Sequence, residues 1–304
     1  MSNRALTIIN ISLALVLGWA AFSSYKNDEP TKNFGGASTL QAIRTFDLDG
    51  KKFDLCGENL PIDQPDVRQR FDRELVQNVY SHSQTLMAIK RANALFPVIE
   101  PILKEEGVPD DLKYLAVAES GLTNAVSPAN AKGVWQFIGS AGSQYDLEIS
   151  KDVDERYHLE KSTHAAAKYL RDLYKKFGSW YLAAAAYNGG AGRISEELVN
   201  QRANNFWEMN LGAEETMRYP LRIVAIKEVM QHPAEYEYVI ENQHLYPPVV
   251  NYSTVEVSEP VANWGDFAQK YGTNYRQFKI LNPWLISSTL PNKERKTYQV
   301  RLPK

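Results

Sequence analysis

Between residues 66 and 231 the apolar residues of this chain recur at helical spacing, with only loops between the runs. That pattern leaves little room for a sheet. Val67, Phe71, Leu75 and Val79 mark one stripe in a helical region over 66–106, whose later part is punctuated by Pro97 and Pro101. Pro109 suits a first helical position, Asp110 and Asp111 favour the positive end of a helix dipole, and Gly121 stops the run. Residues 162–177 carry the clearest helical signal. Ser162 can cap it, Gly178 can end it, and Ala166, Tyr169, Leu170, Leu173, Tyr174 and Phe177 form its stripe. A short alanine-rich buried helix is predicted over 180–188 and another helix over 214–231, interrupted at Pro220. The expected fold class is therefore mainly α, with one almost wholly helical domain over 66–240.

The flanks read differently. Ala5 to Phe22 is an uncharged apolar run preceded by Arg4, about the length of a membrane span. It also fits a signal peptide with a small-residue site at Ala21-Phe-Ser23, and both readings stand for residues 1–23. No Cys follows the run, so lipoprotein processing is not expected. Either way the rest of the chain is placed outside the cytoplasm, in the periplasm or cell envelope, with the inner membrane as anchor if residues 5–22 are retained. Residues 24–65, rich in Gly, Asp, Asn and Pro, read as linker with short extended pieces such as Lys52-Phe-Asp-Leu55. From residue 246 the pattern changes again. Val255 and Val257 alternate as in a strand. Trp264, Phe267, Ala268 and Tyr271 make a helical stripe ending at Gly272; Tyr275, Phe278 and Leu281 make another, stopped by Asn282-Pro283; Tyr298, Val300 and Leu302 alternate. Residues 246–304 are thus expected to form a small βααβ module.

Composition narrows the function classes. The net charge is −2 and the chain has no basic block, which argues against a nucleic-acid partner. The single Cys56 permits no internal disulfide and has no adjacent His. The five His show no ligand spacing, so neither a metal site nor a cofactor is expected. The 17 Tyr and 6 Trp suit sugar stacking as well as core packing.

One residue does not fit a purely structural helix. Leu112, Leu115, Ala116 and Glu119 follow the i, i+3, i+4, i+7 pattern, which puts a carboxylate on an apolar stripe. Burying a carboxylate is costly unless it is paired or protonated, and desolvation raises its pKa. A raised pKa is what a general acid needs near neutral pH. The alternative is a buried structural Glu paired with an Arg.

Its neighbours weigh in. After Glu119 come Ser127-Pro128, Gly133-Val-Trp-Gln-Phe137, Ala185-Ala-Tyr-Asn-Gly-Gly190 and Glu214-Glu-Thr-Met-Arg-Tyr219. Over roughly residues 90–232 this order resembles the lytic murein transglycosylases with a goose-lysozyme-like catalytic domain, and within them the membrane-bound D type. The resemblance implies a lysozyme-like helical fold with Glu119 as the single catalytic acid/base. It implies that Ser127, Gln136, Tyr187, Asn188, Glu215 and Tyr219 bind sugar or hold the catalytic carboxyl. Ser127 stands one residue closer to Glu119 than in some relatives. Each has a structural alternative: Trp135 and Phe137 as core, Tyr187 as packing, Asn188 as an ordinary C-cap.

The implied substrate is a peptidoglycan glycan strand. Glycosidases of the usual kind need two carboxylates, whereas one suffices if the substrate supplies its own nucleophile, closing a 1,6-anhydro ring on muramic acid. Trp264-Gly-Asp-Phe-Ala-Gln-Lys-Tyr-Gly272 and Leu281-Asn-Pro-Trp284 resemble a LysM module, a small binder of N-acetylglucosamine-containing glycans; the alternative is an appendage that packs on the enzyme. A muramidase hydrolysing the same bond and a catalytically silent glycan-binding protein remain as rival functions.

Overall fold

The computed structural model describes residues 44–304 apart from 249, so the apolar run over 5–22 lies outside the described residues. Residues 46–304 pack as one unit. It begins with a two-stranded hairpin, β1 (Asp54–Leu55) and β2 (Glu58–Asn59). Cys56 and Gly57 between them both have positive φ, 55° and 83°, as a tight two-residue hairpin turn requires. Leu48, Phe53, Leu55 and Leu60 around this hairpin are buried in the main core, and the Phe53 ring lies 4.5 Å from that of Phe71. Residues 46–65 are thus not linker. The polar, glycine-bearing composition belongs to a turn, while four apolar side chains too irregularly spaced to register as a period reach the core.

Two long helices follow, α1 (Pro65–Tyr80) and α2 (His82–Glu105), separated by Ser81. Val67, Phe71, Leu75 and Val79 line the buried face of α1. Pro97 and Pro101 do not divide α2. Both lie on its exposed face, where carbonyls that lose an N–H partner can meet water. A 3-10 turn over Asp110–Leu112 leads into α3 (Lys113–Ser120), closed by Gly121 in the left-handed conformation at φ 57°. After α4 (Gly139–Gln144), α5 (Leu159–Phe177) starts three residues earlier than its sequence suggests. His158 is its N-cap residue; Ser162 is buried inside the first turns and donates its Oγ to the Leu159 carbonyl at 3.2 Å.

The alanine-rich α6 (Trp180–Gly189) is almost fully buried, packed between α5, α7 (Ala191–Gln201) and α8 (Glu214–Gln231). Its start is fixed by the hairpin. Glu58 accepts from the Trp180 amide at 2.6 Å and from Ser179 Oγ at 2.7 Å, and Ser179 Oγ accepts from the Leu182 amide. Helix α8 runs without a break through Pro220 and packs on α1, α3 and α6. The α6–α8 contact is close. A Cβ on Gly189 would fall 2.7 Å from Thr216 Cγ2.

The last 53 residues form the βααβ unit expected. Strand β3 (Tyr252–Val257) pairs antiparallel with β4 (Tyr298–Pro303), in register Val255↔Val300. Helices α9 (Trp264–Lys270) and α10 (Tyr275–Leu281) lie between them in sequence, each started by an asparagine cap, Asn263 and Asn274. Trp264 and Phe278 stack at 4.9 Å in a core of the unit's own. No helix among the described residues is long and apolar enough to cross a membrane.

Candidate active site

Helix α3 presents Glu119 as its stripe dictates. Leu112, Leu115 and Ala116 are fully buried, and Glu119 is the next residue on that face. Its Oε1 accepts from the hydroxyl of Tyr219, a buried residue of α8. Burial pushes the Glu119 carboxyl up to about 7, and the nearby Glu215 charge adds to this, whereas the Tyr219 hydrogen bond and the Arg222 charge pull the other way. Among the described residues, the carboxyls otherwise displaced from their ordinary range are displaced downward, by partners that favour the charge. Glu119 is thus poised to hold a proton near neutrality. It opens on a cleft of about 680 Å³ between α1, α2, α3 and α8, lined among others by Gln77, Asn78, Arg91, Ser120 and Arg222.

Arg222 organises the acidic groups of this wall. Its guanidinium binds Glu215 through two contacts, 2.6 and 3.1 Å, and Glu74 at 3.1 Å. Glu74 is fully buried and also takes Arg218. The hydrogen bond from Arg222 holds Glu215 below the usual carboxylate range. Glu215 is therefore an ionised, arginine-bound group on an exposed stretch of α8 rather than a second free acid. The buried-Glu-with-Arg arrangement considered for Glu119 exists here, but at Glu74.

The Gly133–Phe137 loop backs the end of α3. Gly133 has φ 81°, and a Cβ there would lie 1.9 Å from the Arg156 carbonyl oxygen, so only glycine fits. Trp135 is fully buried and donates its Nε1 to Thr163 Oγ1 at 2.9 Å. Ser120 Oγ donates to the Val134 carbonyl at 2.8 Å, and Tyr187 Oη to the Trp135 carbonyl at 2.7 Å, tying the loop to α3 and to α6. Gln136, at φ 51°, donates its Nε2 to the Gly133 and Ala125 carbonyls at 2.7 and 3.1 Å. Ser127 Oγ accepts from the Ala131 amide at 3.0 Å within the same loop.

The residues singled out in the sequence thus take different stations. Tyr219 touches Glu119. Tyr187 is near enough that the Glu119 charge adds to the burial that raises its phenol well above the ordinary range. Glu215 pairs with Arg222, and both charges are felt at Glu119, with opposite sign. Asn188 is exposed and accepts from Thr216 Oγ1 at 3.0 Å. Ser127 and Gln136 are engaged in loop bonds, and none of Ser127, Gln136, Tyr187, Asn188, Glu215 and Tyr219 lines the 680 Å³ cleft, which of the residues singled out holds Glu119 itself. Ser120, the last residue of α3, was not among them and reaches across to Val134. Arg222 and Glu74 were not singled out. The i, i+3, i+7 spacing of Glu215, Arg218 and Arg222 on one helix face was a readable signal for the arginines. No local pattern marks Glu74, whose partners lie more than 140 residues away. Among the described residues no group of His, Cys, Asp or Glu could hold a metal ion.

Parts of the chain are similar to known proteins. Residues 96–210 match the family described as Transglycosylase SLT domain, and residues 253–304 the Soluble lytic transglycosylase C-terminal LysM-like domain. The membrane-bound lytic murein transglycosylase D of Escherichia coli (strain K12) is 29% identical over 251 residues, 80% of this chain and 54% of the relative. A putative tributyltin chloride resistance protein of Alteromonas sp. (strain M-1) is 30% identical over 127 residues, 41% of this chain and 61% of that protein. Among solved structures, the 70 kDa soluble lytic transglycosylase of Escherichia coli superposes with a TM-score of 0.40 at 17% identity, over 53% of this chain and 30% of that one. The chain spans about half the length of the first of these curated relatives. It carries a transglycosylase SLT domain followed by a LysM-like domain, and it is homologous to the D-type membrane-bound enzyme.

Proposed function

We propose that this SLT- and LysM-bearing chain is a peptidoglycan lytic transglycosylase that cleaves the β-1,4 bond between N-acetylmuramic acid and N-acetylglucosamine, with Glu119 as its single general acid/base. The observation that carries the reading is the Glu119 carboxyl itself: half-buried, pushed up to about 7 by desolvation, and held by the Tyr219 hydroxyl while opening on a cleft. A protonated carboxyl donates to the leaving glycosidic oxygen. Once ionised, it gains stabilisation from the same Tyr219 hydrogen bond and from Arg222, interactions that strengthen as charge develops. The muramic N-acetyl group assists at the anomeric carbon. Glu119 then recovers a proton from the C6 hydroxyl, which closes the 1,6-anhydro ring without consuming water.

Glu215 does not line the cleft on which Glu119 opens and both its oxygens are engaged by Arg222, which speaks against it as the second carboxylate of the usual two-acid hydrolytic route. This favours transglycosylation over a muramidase, and the poised acid favours an enzyme over a silent binder. Ser127, Gln136, Tyr187, Asn188, Glu215 and Tyr219 are offered as the residues that hold sugar or shape the groove. The reading takes the glycan strand as partner and no nucleic acid. It takes residues 1–23 as a signal peptide or inner-membrane anchor and 66–240 as the lysozyme-like domain, ahead of a glycan-binding module over 246–304. A cell-envelope location follows, in keeping with a relative named as membrane-bound.

Mass spectrometry of products from purified glycan strands tests this. Wild type should leave 1,6-anhydromuramic ends and Glu119→Gln should leave strands intact while still binding them. Reducing ends from wild type would establish hydrolysis instead, and equal cleavage by both proteins would remove Glu119 from the reaction.

A further inference from the structure

The stretch from Glu148 to Arg156 belongs to two structures at once. On one side it is built into the C-terminal module. Val153 is buried in that module's core with Trp264, Phe278 and Leu285, and pairs with Leu285 as an isolated bridge. The Asp154 amide donates to the Trp284 carbonyl at 2.8 Å, and the Ile286 amide to the Asp152 carbonyl at 3.0 Å. Tyr298 of β4 donates its hydroxyl to Glu148 at 3.0 Å.

On the other side the same stretch grips the loop behind Glu119. The Asp154 carboxylate takes Arg156 Nε at 2.8 Å and Nη2 at 2.7 Å, a two-pronged pair with both residues buried. Arg156 Nη1 is left to donate to the Asn130 and Phe137 carbonyls, at 3.0 and 3.1 Å. Its own carbonyl fills the space that Gly133 leaves open. A guanidinium has donors enough, in a fixed fork, to hold a carboxylate and two carbonyls together; an ammonium does not. The gripped loop runs on through Val134 and Trp135, whose carbonyls bind Ser120 beside Glu119 and Tyr187.

We propose that Arg156 is a positioning residue for the cleavage site, and that the C-terminal module acts on turnover through it. The docked module fixes Asp154, Asp154 fixes Arg156, and Arg156 fixes the 125–137 loop. The inference rests on Glu119 being the acid. It differs from the reading of the module as an independent glycan binder, because its effect reaches short soluble glycans, for which attachment to the wall gives no advantage.

The test uses the full chain and three variants, Arg156→Gln, Arg156→Lys and Val153→Asp, with a short soluble uncrosslinked glycan as substrate. Two readouts are followed: kcat and KM, and amide hydrogen exchange. Arg156→Gln should lower kcat about 10- to 100-fold with KM changed far less, as expected of a misplaced site. Arg156→Lys should fall between it and wild type. Val153→Asp, which puts a charge in the module's core, should lower kcat in the same way. In all three the Lys132 and Gly133 amides, which donate to the Phe137 and Ala125 carbonyls, should exchange faster while α5 and α8 keep their protection. Val153→Asp with fast exchange in β3 and β4 but an unchanged loop and kcat would overturn the proposal. So would equally faster exchange in α5, α8 and the loop. A wild type inactive on every glycan would sink the transglycosylase reading instead, and the exchange readout would still decide whether the module holds the loop.

Discussion

Replacing Tyr219 by Phe removes one hydroxyl from beside Glu119 and leaves the buried ring in place. The structure gives the sign of the effect. The Tyr219 hydroxyl donates to Glu119 Oε1, and such a bond favours the charged carboxylate over the acid. Its loss must therefore raise the Glu119 pKa further. A hydrogen bond to a charged group contributes about 1.5–3 kcal/mol, which at 1.36 kcal/mol per unit corresponds to about 1–2 pKa units. The proton-donating form of Glu119 should then persist from about 7 in wild type to about pH 8–9 in Tyr219→Phe. The assay is the pH dependence of kcat/KM on soluble glycan, whose falling basic limb reports the acid of the free enzyme. Arg222, still in place, continues to pull the pKa down in both proteins and keeps the shift finite. A basic limb that stays near 7, or moves to lower pH, would refute the assignment of Tyr219 as the group that stabilises the ionised acid.

Other outcomes follow from the same geometry. Because the folded pKa of Glu119 lies above its ordinary 4.5, the folded state holds this proton more tightly than the unfolded chain, and the stability gained below about pH 4.5 is lost as pH rises through about 7. Glu119→Gln should accordingly be more stable than wild type above neutrality, by up to about 3 kcal/mol, and the gain should shrink toward pH 5 in denaturant titrations. Gly133→Ala brings a Cβ to 1.9 Å from the Arg156 carbonyl at a positive φ, so it should cost at least about 4 kcal/mol or prevent folding, read as a lowered Tm. Asn282, fully buried, donates to the Phe278 and Arg301 carbonyls and accepts from the Arg301 amide. Asn282→Ala strands these groups and should destabilise the C-terminal module by about 3 kcal/mol, seen as faster exchange in β3 and β4.

Much of this site was legible before any coordinates. A glutamate at i+7 from Leu112 on an apolar stripe, followed by Gly121, already implied a buried carboxyl at a helix end. Alternation at Val255 and Val257 and at Tyr298, Val300 and Leu302, separated by two short stripes, implied a βααβ unit. What stayed hidden has physical reasons. Leu48, Phe53, Leu55 and Leu60 reach the core around a two-residue turn, and a turn erases the period on which sequence reading relies. Pro220 sits within an unbroken α8, because packing on α1, α3 and α6 outweighs one missing backbone bond. Ser162 has a cap residue's chemistry, yet it faces the Leu159 carbonyl inside α5. Glu74 finds Arg218 and Arg222 only through the α1–α8 packing, a pairing that no local spacing encodes. Ser127 and Gln136 stand where the resemblance put them in sequence, but their side chains are spent on the loop's own carbonyls and amides.

Everything in the mechanism depends on one carboxyl keeping its proton near neutral pH. A carbon-13 NMR titration of the glutamate side-chain carboxyls, with the Glu119 signal assigned by its disappearance in Glu119→Gln, measures this directly. The structure predicts a midpoint near 7 for that resonance. A midpoint in the ordinary glutamate range, about 4.3, would mean that Glu119 is already ionised when substrate arrives, and the acid-first mechanism would not stand.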